Sequence, residues 1–224
     1  HEDNMDTLSA MVLEIYEDSF KYRKVSYNQE TEEIGSNNNA IFNAWVDADG
    51  NGRVKLVKDM TVYDFAWTAY TYAALHLDMN GCKLIGAIQG TPEPVLLFRG
   101  GGSSLESSHG RGRIEQQHFG NEPRNPIAVV NTNNKDVTVI RDVDIVGHNT
   151  SSTGVYGLNA GYSVIGKMEN VTIDVSVTGA LADPSKAIAI RSNTDYGVQM
   201  GTINNCSLKS NGYLIYCKDL ENEE

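Results

Sequence analysis

Short apolar strands separated by polar turns recur through the C-terminal half of the chain. Three segments resemble one another when stacked, 127–147, 155–179 and 187–212, and a fourth begins at Tyr213. In each segment a short apolar strand leads to an Asn-rich turn, and a second, alternating strand ends at Gly. Strands this short cannot bury an apolar face alone, so neighbouring units must stack. The pattern therefore predicts a solenoid of β-strands.

The predicted units start at Ile127, Val155, Ile188 and Leu214, and the unequal steps between them place loops of variable length at the corners. Asn recurs at these corners, and it tolerates the left-handed conformation that a sharp turn requires. We therefore expect Asn side chains to stack and to hydrogen-bond from one unit to the next. A β-sandwich is the alternative, but its strands alternate with regular hairpin turns and show no long-range self-similarity.

The N-terminal part of the chain has a different pattern, and residues 1–39 are predicted to be a cap or a linker. An apolar stripe predicts an amphipathic helix over 6–19, and alternation predicts a strand over 20–27. A polar, Asn-rich stretch then separates this segment from the solenoid domain, which is predicted to span 40–224.

The solenoid domain resembles the pectate-lyase-like superfamily of right-handed parallel β-helices, in the form seen in bacterial surface proteins and phage tailspikes. The resemblance implies an all-β, right-handed parallel β-helix with a short helical or extended N-terminal segment, and a helix over 40–46 that plugs the open end. It also implies an extracellular location, whether secreted, on a cell surface or on a virion. The resemblance is carried by GRVKLVKDMTV (52–62), LHLDMNGCKLIG (75–86), KDVTVIRDVDIVG (135–147) and ENVTIDVSVTG (169–179).

Charge and cysteine content narrow the classes of partner. Lys and Arg total 18 against 29 Asp and Glu, so the formal net charge is −11. A nucleic-acid-binding surface is basic, so nucleic acid is not expected as a partner. No apolar run is long enough to span a membrane, so no insertion is expected.

Cys82, Cys206 and Cys217 lack zinc-site spacing and are predicted to be buried free thiols, with a bridge between Cys206 and Cys217 as the alternative.

Carboxylates provide the candidates for catalysis. A polysaccharide-degrading enzyme with this fold needs a general acid and a base or nucleophile across the glycosidic bond. The candidates are Asp142, Asp144, Asp174 and Asp195, and alternation predicts that Asp142 and Asp144 share one face of a strand. Polygalacturonase-like hydrolases carry Asn-Thr-Asp followed by an Asp-Asp pair. This chain has Asn193-Thr194-Asp195 but no Asp-Asp pair, so a simple turn is the alternative.

Tyrosines and arginines provide the candidates for glycan binding. Tyr156 and Tyr196 fall in neighbouring repeats, and tyrosine stacks well on sugars because it is apolar at one end and polar at the other. Arg111 and Arg113 form a local basic cluster that suits an acidic sugar. Ladder packing of the tyrosines and a solvated loop for the arginines are the alternatives.

One motif suggests a cofactor. Asp47, Asp49 and Asn51 match the first ligand positions of an EF-hand calcium loop, with Gly52 at the sharp turn. The twelfth position, which should be a bidentate carboxylate, is Lys58. A turn that leads into the first strand is the alternative, and calcium is the one cofactor that the sequence suggests.

No complete catalytic constellation is found, so we expect a binding module. The expected protein is an extracellular β-helix that contacts polysaccharide, cell-surface glycan or a host surface, in a bacterial adhesin or a phage tail. The alternatives are a polysaccharide hydrolase or lyase and a purely structural virion or envelope component. A homotrimer is a further expectation, because such enzymes often place carboxylates between subunits. The last strand, from Tyr213, is expected to leave an open β edge that calls for a cap, a partner strand or more chain.

Overall fold

The structure is a computed structural model of the 224-residue chain. Within the described part every element is a strand except the 3-10 turn Pro184–Lys186. The residues described are 53–56, 58–62, 74–87, 94–117, 126–179, 183–192 and 198–217, with the backbone of the strands Met11–Tyr16, Lys21–Val25 and Trp67–Thr68.

Twenty strands are present in this part of the chain. In chain order they are β1 Met11–Tyr16, β2 Lys21–Val25, β3 Arg53–Lys55, β4 Met60–Val62, β5 Trp67–Thr68, β6 His76–Asp78, β7 Lys83–Gly86, β8 Leu96–Leu97, β9 Ser103–Glu106, β10 Gly112–Gln116, β11 Ile127–Asn131, β12 Val137–Arg141, β13 Val143–Asn149, β14 Val155–Asn159, β15 Val164–Glu169, β16 Thr172–Val177, β17 Ala187–Ser192, β18 Gln199–Asn204, β19 Ser207–Ser210 and β20 Tyr213–Cys217.

The strands form three sheets, here named A, B and C. Sheet A has the order β18-β15-β12-β9-β6-β3-β1-β2, sheet B the order β19-β16-β13-β10-β7-β4, and sheet C the order β20-β17-β14-β11-β8-β5. From β3 onward the chain visits A, B and C in turn, and each strand pairs in parallel with the strand three places later. The described strands therefore stack as six coils. This arrangement confirms the predicted all-β class and the stacking of short parallel strands, and it is consistent with a parallel β-helix.

The predicted repeats are present, but the predicted starts of two of them differ by one residue from the observed strand register. The predicted match of Ile127 with Val155 is correct. Val155 pairs with Ala187 rather than with Ile188, and Ile188 pairs with Tyr213 rather than with Leu214. The error has a physical cause, because the first four residues of β17 are all buried. Where both faces of a strand are covered, apolar character does not mark which residues point inward.

Aliphatic side chains fill the interior in columns that run from coil to coil. Each member is almost completely buried, and burial of one such side chain contributes roughly 1.5–3 kcal/mol. The columns consist of Leu77, Leu105, Ile140 and Met168 from sheet A, Leu84, Ile114, Ile145 and Ile173 from sheet B, and Val130, Leu158 and Ile190 from sheet C.

The corner between sheets A and B explains the recurrence of Asn. Asp142, Asn170 and Asn205 have φ angles of 56°, 53° and 50°, in the left-handed region. Asn170 Nδ2 donates to Asp142 Oδ1 over 2.5 Å, and Asn205 Nδ2 donates to Asn170 Oδ1 over 3.2 Å. The predicted stack of Asn side chains is thus confirmed at this corner, with Asp142 as its first member.

The N-terminal segment differs from the prediction. β1 pairs antiparallel with β2 and with β3, so a strand at Met11–Tyr16 replaces the helix predicted over 6–19. The strand predicted over 20–27 corresponds to Lys21–Val25. The sequence MVLEIY is rich in β-branched and aromatic residues, and its pairing continues sheet A beyond β3, which leaves no open edge on that strand. The plug predicted over 40–46 lies outside the described residues.

The three cysteines are free thiols, so the alternative of a Cys206–Cys217 bridge is not formed. Cys82 is buried as predicted, whereas Cys206 is half-buried and Cys217 is exposed, so for these two the predicted burial is wrong. The reason is that Cys206 and Cys217 belong to the last coil, where no further coil covers them in the described part. Burial raises the pKa of the Cys82 thiol, and the nearby Asp59 and Asp78 raise it further.

Candidate functional site

The outer face of sheet A carries a column of charged side chains. Lys55 is in register with Asp78, and Asp78 with Glu106. Arg141 forms an ion pair with Glu106 and is in register with Glu169. We call these five residues the charged ladder. Successive strands of a sheet lie about 4.8 Å apart, so the ladder presents one charged group at every coil from β3 to β15.

A groove of about 420 Å³ lies over the first four coils along this ladder. Its floor is formed by β3, β6, β9 and β12, and one wall is the 107–109 part of the loop between β9 and β10. We call it the sheet A groove. Its polar lining consists of Lys55, His76, Asp78, Ser104, Glu106, Ser107, Ser108, His109 and Arg141.

Asp78 fixes the wall of the groove to its floor. Its Oδ1 accepts a hydrogen bond from the backbone N–H of Asn80 over 2.9 Å and another from the N–H of Ser108 over 2.8 Å. On the floor, His76 Nδ1 lies 3.0 Å from Ser104 Oγ in the next coil. These contacts hold the floor of β6 and β9 and the adjoining loop in one arrangement.

Arg141 links the groove to the next coil. Its Nη2 donates to Glu106 Oε2, and its Nη1 lies 4.0 Å from Glu169 Oε2. Lys167 Nζ lies 2.7 Å from the same Glu169 oxygen. The Lys167 hydrogen bond lowers the pKa of the Glu169 carboxyl, and Arg141 adds to this effect. The Arg141 side chain is 43% exposed, and a guanidinium has five N–H donors, so Arg141 can bind a ligand while it holds Glu106.

Asp142 and Asp144, which alternation predicted to share a face, lie where the chain enters sheet B. Asp142 occupies the left-handed corner between β12 and β13, where its Oδ1 accepts from Asn170. Asp144 lies on β13 in sheet B, and its Oδ1 accepts from Arg111 Nε over 3.0 Å and from Nη2 over 2.5 Å. The burial pattern keeps the alternation, since Asp142 and Asp144 are partly exposed and Val143 between them is buried. Arg111 binds Asp144 and Asn170, and Asn170 binds Asp142, so one network links the two carboxylates, although Asp142 precedes the strand that carries Asp144.

Asp174, the third candidate carboxylate, lies on β16 in sheet B. Its Oδ1 is 3.0 Å from His148 Nε2 and its Oδ2 is 3.8 Å from Lys209 Nζ. It is in register with Val146, whereas Asp144 is in register with Thr172. Asp144 and Asp174 therefore lie in different columns of sheet B. Asp144 pairs with Arg111, and Asp174 contacts His148 and Lys209.

Arg113 lies on β10 of sheet B and Arg111 directly precedes that strand, and both side chains have partners within the protein. Arg111 donates to Asp144, to Asn170 Oδ1 over 2.7 Å and to Thr172 Oγ1 over 3.0 Å. Arg113 Nε donates to Glu115 Oε2 over 2.7 Å. The Arg111 guanidinium thus joins three successive coils, so this side chain stabilises the stack.

Tyr156 lies on the outer side of sheet C but is only 8% exposed. It packs with Ala128, Ile188 and Tyr216, and the Arg191 guanidinium lies 4.6 Å from its ring centroid. Burial raises the pKa of the Tyr156 hydroxyl, and the nearby Arg191 partly opposes this shift. The ring of Tyr156 therefore has little surface on which a sugar can stack.

The remaining candidates lie outside the described residues: Asp195, Tyr196, Asp47, Asp49 and Asn51. Within the described ranges no group of three or more His, Cys, Asp or Glu side chains is positioned to hold a metal ion. The same ranges contain no helix with the length and hydrophobicity to span a bilayer.

Sequence inspection did not find the sheet A groove. Its central residues, His76, Asp78, Glu106 and Arg141, are scattered over three repeats with loops of different length between them. The available signal was the alternation of LHLDM over 75–79, which marks His76 and Asp78 as outward-facing on one strand. The register that brings Glu106 and Arg141 beside them is visible only in the folded sheet.

Comparisons with protein-family models, with curated proteins and with solved structures find no match to this chain. The proposed function therefore depends on the stacked parallel sheets and on the geometry of the sheet A groove.

Proposed function

We propose that this protein is an extracellular binding module, a right-handed β-helix of the pectate-lyase-like type, whose sheet A groove holds a polysaccharide. The observation that supports the proposal is the charged ladder, which offers a charged side chain at each coil along an open groove. A polymer lying across the strands would meet a charged side chain at every coil, at intervals of one strand spacing. Such regular spacing suits a ligand that is itself repetitive.

The groups in the groove suit sugar hydroxyls. A hydroxyl both donates and accepts hydrogen bonds. The carboxylates of Asp78 and Glu106 accept, Lys55 and Arg141 donate, and His76 does either according to its tautomer. Along the groove the donors Lys55 and Arg141 thus flank the two acceptors, so a row of hydroxyl groups would meet partners of both kinds.

The hydrogen bonding in the groove fixes its two carboxylates in position, which supports binding. Asp78 already accepts from two backbone N–H groups, and Glu106 accepts from Arg141. Both carboxylates therefore act as acceptors within the protein and are held in place to orient a ligand.

The test is retention on a panel of capsular, exopolysaccharide and plant polymers, by affinity electrophoresis. For a retained polymer, we expect Arg141→Ala and Glu106→Gln each to weaken binding about tenfold, equivalent to ~1.4 kcal/mol. Lys209→Ala is the matched control, because Lys209 has a side chain 62% exposed on sheet B. Equal retention of all four proteins would refute the groove as the binding site.

A polysaccharide hydrolase or lyase is the second candidate, and one observation favours it. Asp78 and Glu106 are register neighbours in adjacent coils, so two carboxylates stand on one face about one strand spacing apart. New reducing ends or unsaturated products from any polymer would establish this activity, and Asp78→Asn and Glu106→Gln should then abolish it. A panel that gives neither product nor retention would favour a structural component of a virion or envelope.

Three further expectations stay predictions: membership of an adhesin or phage tail, assembly as a homotrimer, and calcium at Asp47, Asp49 and Asn51. A calcium titration followed by calorimetry tests the third, with Asp49→Asn as the variant that should weaken binding.

A further inference from the structure

A serine and a histidine lie side by side on the floor of the sheet A groove. Ser104 on β9 is in register with His76 on β6, one coil earlier. The Ser104 Oγ lies 3.0 Å from His76 Nδ1. Ser104 is only 4% exposed, but it is among the residues that line the groove. A hydroxyl within hydrogen-bond distance of an imidazole is the arrangement of a serine nucleophile and its general base.

The Ser104–His76 pair does not recur along the described part of sheet A. The residue in register before His76 is Arg53, and those after Ser104 are Val139 and Lys167. A structural ladder repeats similar groups from coil to coil, as the Asn-rich corner between sheets A and B does. The pair is instead confined to β6 and β9, the two middle strands of the groove floor, which points to a use of the groove itself.

The register of sheet A changes directly beside Ser104. β12 pairs with β9 through Val137 opposite Ser103 and Val139 opposite Ser104, so Thr138 is an extra residue on β12. Thr138 Oγ1 donates to the Ser103 carbonyl over 3.0 Å. One extra residue of this kind forms a β-bulge, which is rare in parallel pairs and enriched next to active sites, where it redirects a side chain. The bulge is therefore a second, independent mark on the position of Ser104.

We propose that Ser104 and His76 hydrolyse esters of small carboxylic acids, such as acetyl groups carried by a polysaccharide in the sheet A groove. The choice of a polymer substrate rests on the proposed function, whereas hydrolysis of a small ester does not depend on it. Sugar hydroxyls that lie along the groove are the groups on which such esters form, so a bound polymer would present them to Ser104.

The reaction takes place in two steps, with His76 Nε2 carrying the ring proton so that Nδ1 accepts. In the first step the Ser104 Oγ attacks the acyl carbon and its proton passes to Nδ1. The bond from that carbon to the alcohol oxygen then breaks, and this oxygen leaves with the proton from Nδ1. In the second step water attacks the acyl-serine and gives a proton to Nδ1, and the carboxylic acid leaves as the Ser104 Oγ takes the proton back. An ester and water thus become an alcohol and a carboxylic acid.

Two charged neighbours support the charges that develop. Arg141 lies on β12 two residues after Val139, the register partner of Ser104, so the Cα atoms of Arg141 and Ser104 are about 8 Å apart. The Arg141 guanidinium lines the groove and can donate to the oxyanion formed on the acyl group. Asp78 lies two residues after His76 on the same face of β6, and its negative charge stabilises the imidazolium that His76 becomes.

Hydrolysis of p-nitrophenyl acetate tests the pair without any polymer. We expect the whole chain to catalyse many turnovers, and Ser104→Ala and His76→Asn each to lower kcat at least about 100-fold. On sheet B, His148 and Ser176 are in register in the same way, but His148 contacts Asp174 instead. Ser176→Ala and His148→Asn are therefore the matched controls and should keep full activity. A protein without turnover, or a Ser104→Ala variant with full activity, would overturn the proposal.

A covalent probe provides a second test that needs no variant. When a serine oxygen bonds to the phosphorus of a fluorophosphonate, fluoride leaves, and peptide sequencing by mass spectrometry then locates the label. We expect the label on Ser104. A label on Ser176 instead, or no labelled serine, would contradict the assignment of Ser104 as nucleophile.

Affinity electrophoresis of the Ser104→Ala protein separates hydrolysis from binding. This variant should still be retained by the polymer, and the wild-type protein should release acetate from an O-acetylated form of the same polymer. Retention without hydrolysis of any ester would overturn this inference and leave the sheet A groove as a binding site. Hydrolysis of the small ester by a protein that no polymer retains would support the Ser104–His76 pair and refute the proposed polysaccharide binding alone.

Discussion

Asn170 Nδ2 donates a hydrogen bond to Asp142 Oδ1 over 2.5 Å, and the two residues occupy the same left-handed corner in adjacent coils. Asn205 continues the stack one coil further, and Arg111 reaches into it from an earlier coil to donate to Asn170 Oδ1. One amide thus serves as donor and acceptor for three neighbours. This corner joins the last four coils through side chains as well as through the sheets.

Substitution of Asn170 should separate the two contributions of this corner. Asn170→Ala places alanine at φ 53°, where the left-handed conformation costs about 1–2 kcal/mol for a residue with a Cβ atom. The same substitution removes the side-chain hydrogen bonds, which contribute about 1 kcal/mol each. Asn170→Gly removes only the hydrogen bonds. We expect Ala to lower the free energy of unfolding in urea more than Gly. Equal losses would contradict a role for the backbone conformation.

The fork of Arg111 should stabilise the stack through its contacts with three coils. Arg111→Ala removes its bonds to Asp144, Asn170 and Thr172, and because the side chain is partly exposed we expect a loss of about 1 kcal/mol that shrinks in high salt. Arg113→Ala is the control, since the ion pair of Arg113 is with Glu115, on its own strand. Urea unfolding at low and high salt provides the measurement. A larger loss for Arg113→Ala would contradict this assignment.

Gln116 is a polar side chain in the interior of the stack. It is 2% exposed, and neither Oε1 nor Nε2 has a hydrogen-bond partner. Replacement by the similarly shaped Met should raise the free energy of unfolding by about 1–3 kcal/mol, because it removes an unsatisfied amide. Gly86→Ala should have the opposite effect, since its Cβ would lie 2.3 Å from Gln116 Oε1.

The Gln116→Met and Gly86→Ala variants are checked by chemical denaturation. A Gln116→Met protein less stable than wild type would show that the amide is satisfied by ordered water and that its polarity is required.

The Tyr156 hydroxyl should titrate at higher pH than exposed tyrosines, because burial raises its pKa. A group with a raised pKa in the folded state contributes stability that is complete below its unfolded pKa, about 10, and is lost as the pH rises through the folded value. We expect ultraviolet difference spectra to show delayed ionisation of one tyrosine, and Tyr156→Phe to remove that phase and to flatten the alkaline loss of stability. A phase that persists in Tyr156→Phe would refute the assignment.

The repeats show which features of the fold a local sequence pattern predicts and which it does not. Short strands that end in Asn-rich turns indicate stacking, because such strands cannot bury an apolar face alone, and the step from Ile127 to Val155 is correct in register. The same pattern fails at Ile188, which packs against Tyr156 on the outer side of sheet C. A cluster on the outer side buries aliphatic residues on both faces, so the sequence does not distinguish them.

The sequence by itself determined that the chain stacks short strands and turns its corners with Asn, since both properties depend on residues close together along the chain. Tertiary structure decided which side chains meet. Glu106 and Arg141 form an ion pair across 35 residues, and Asp142 and Asn170 across 28. Loops of unequal length separate these partners, so only the register of the parallel sheets, set by backbone pairing and core packing, brings them together.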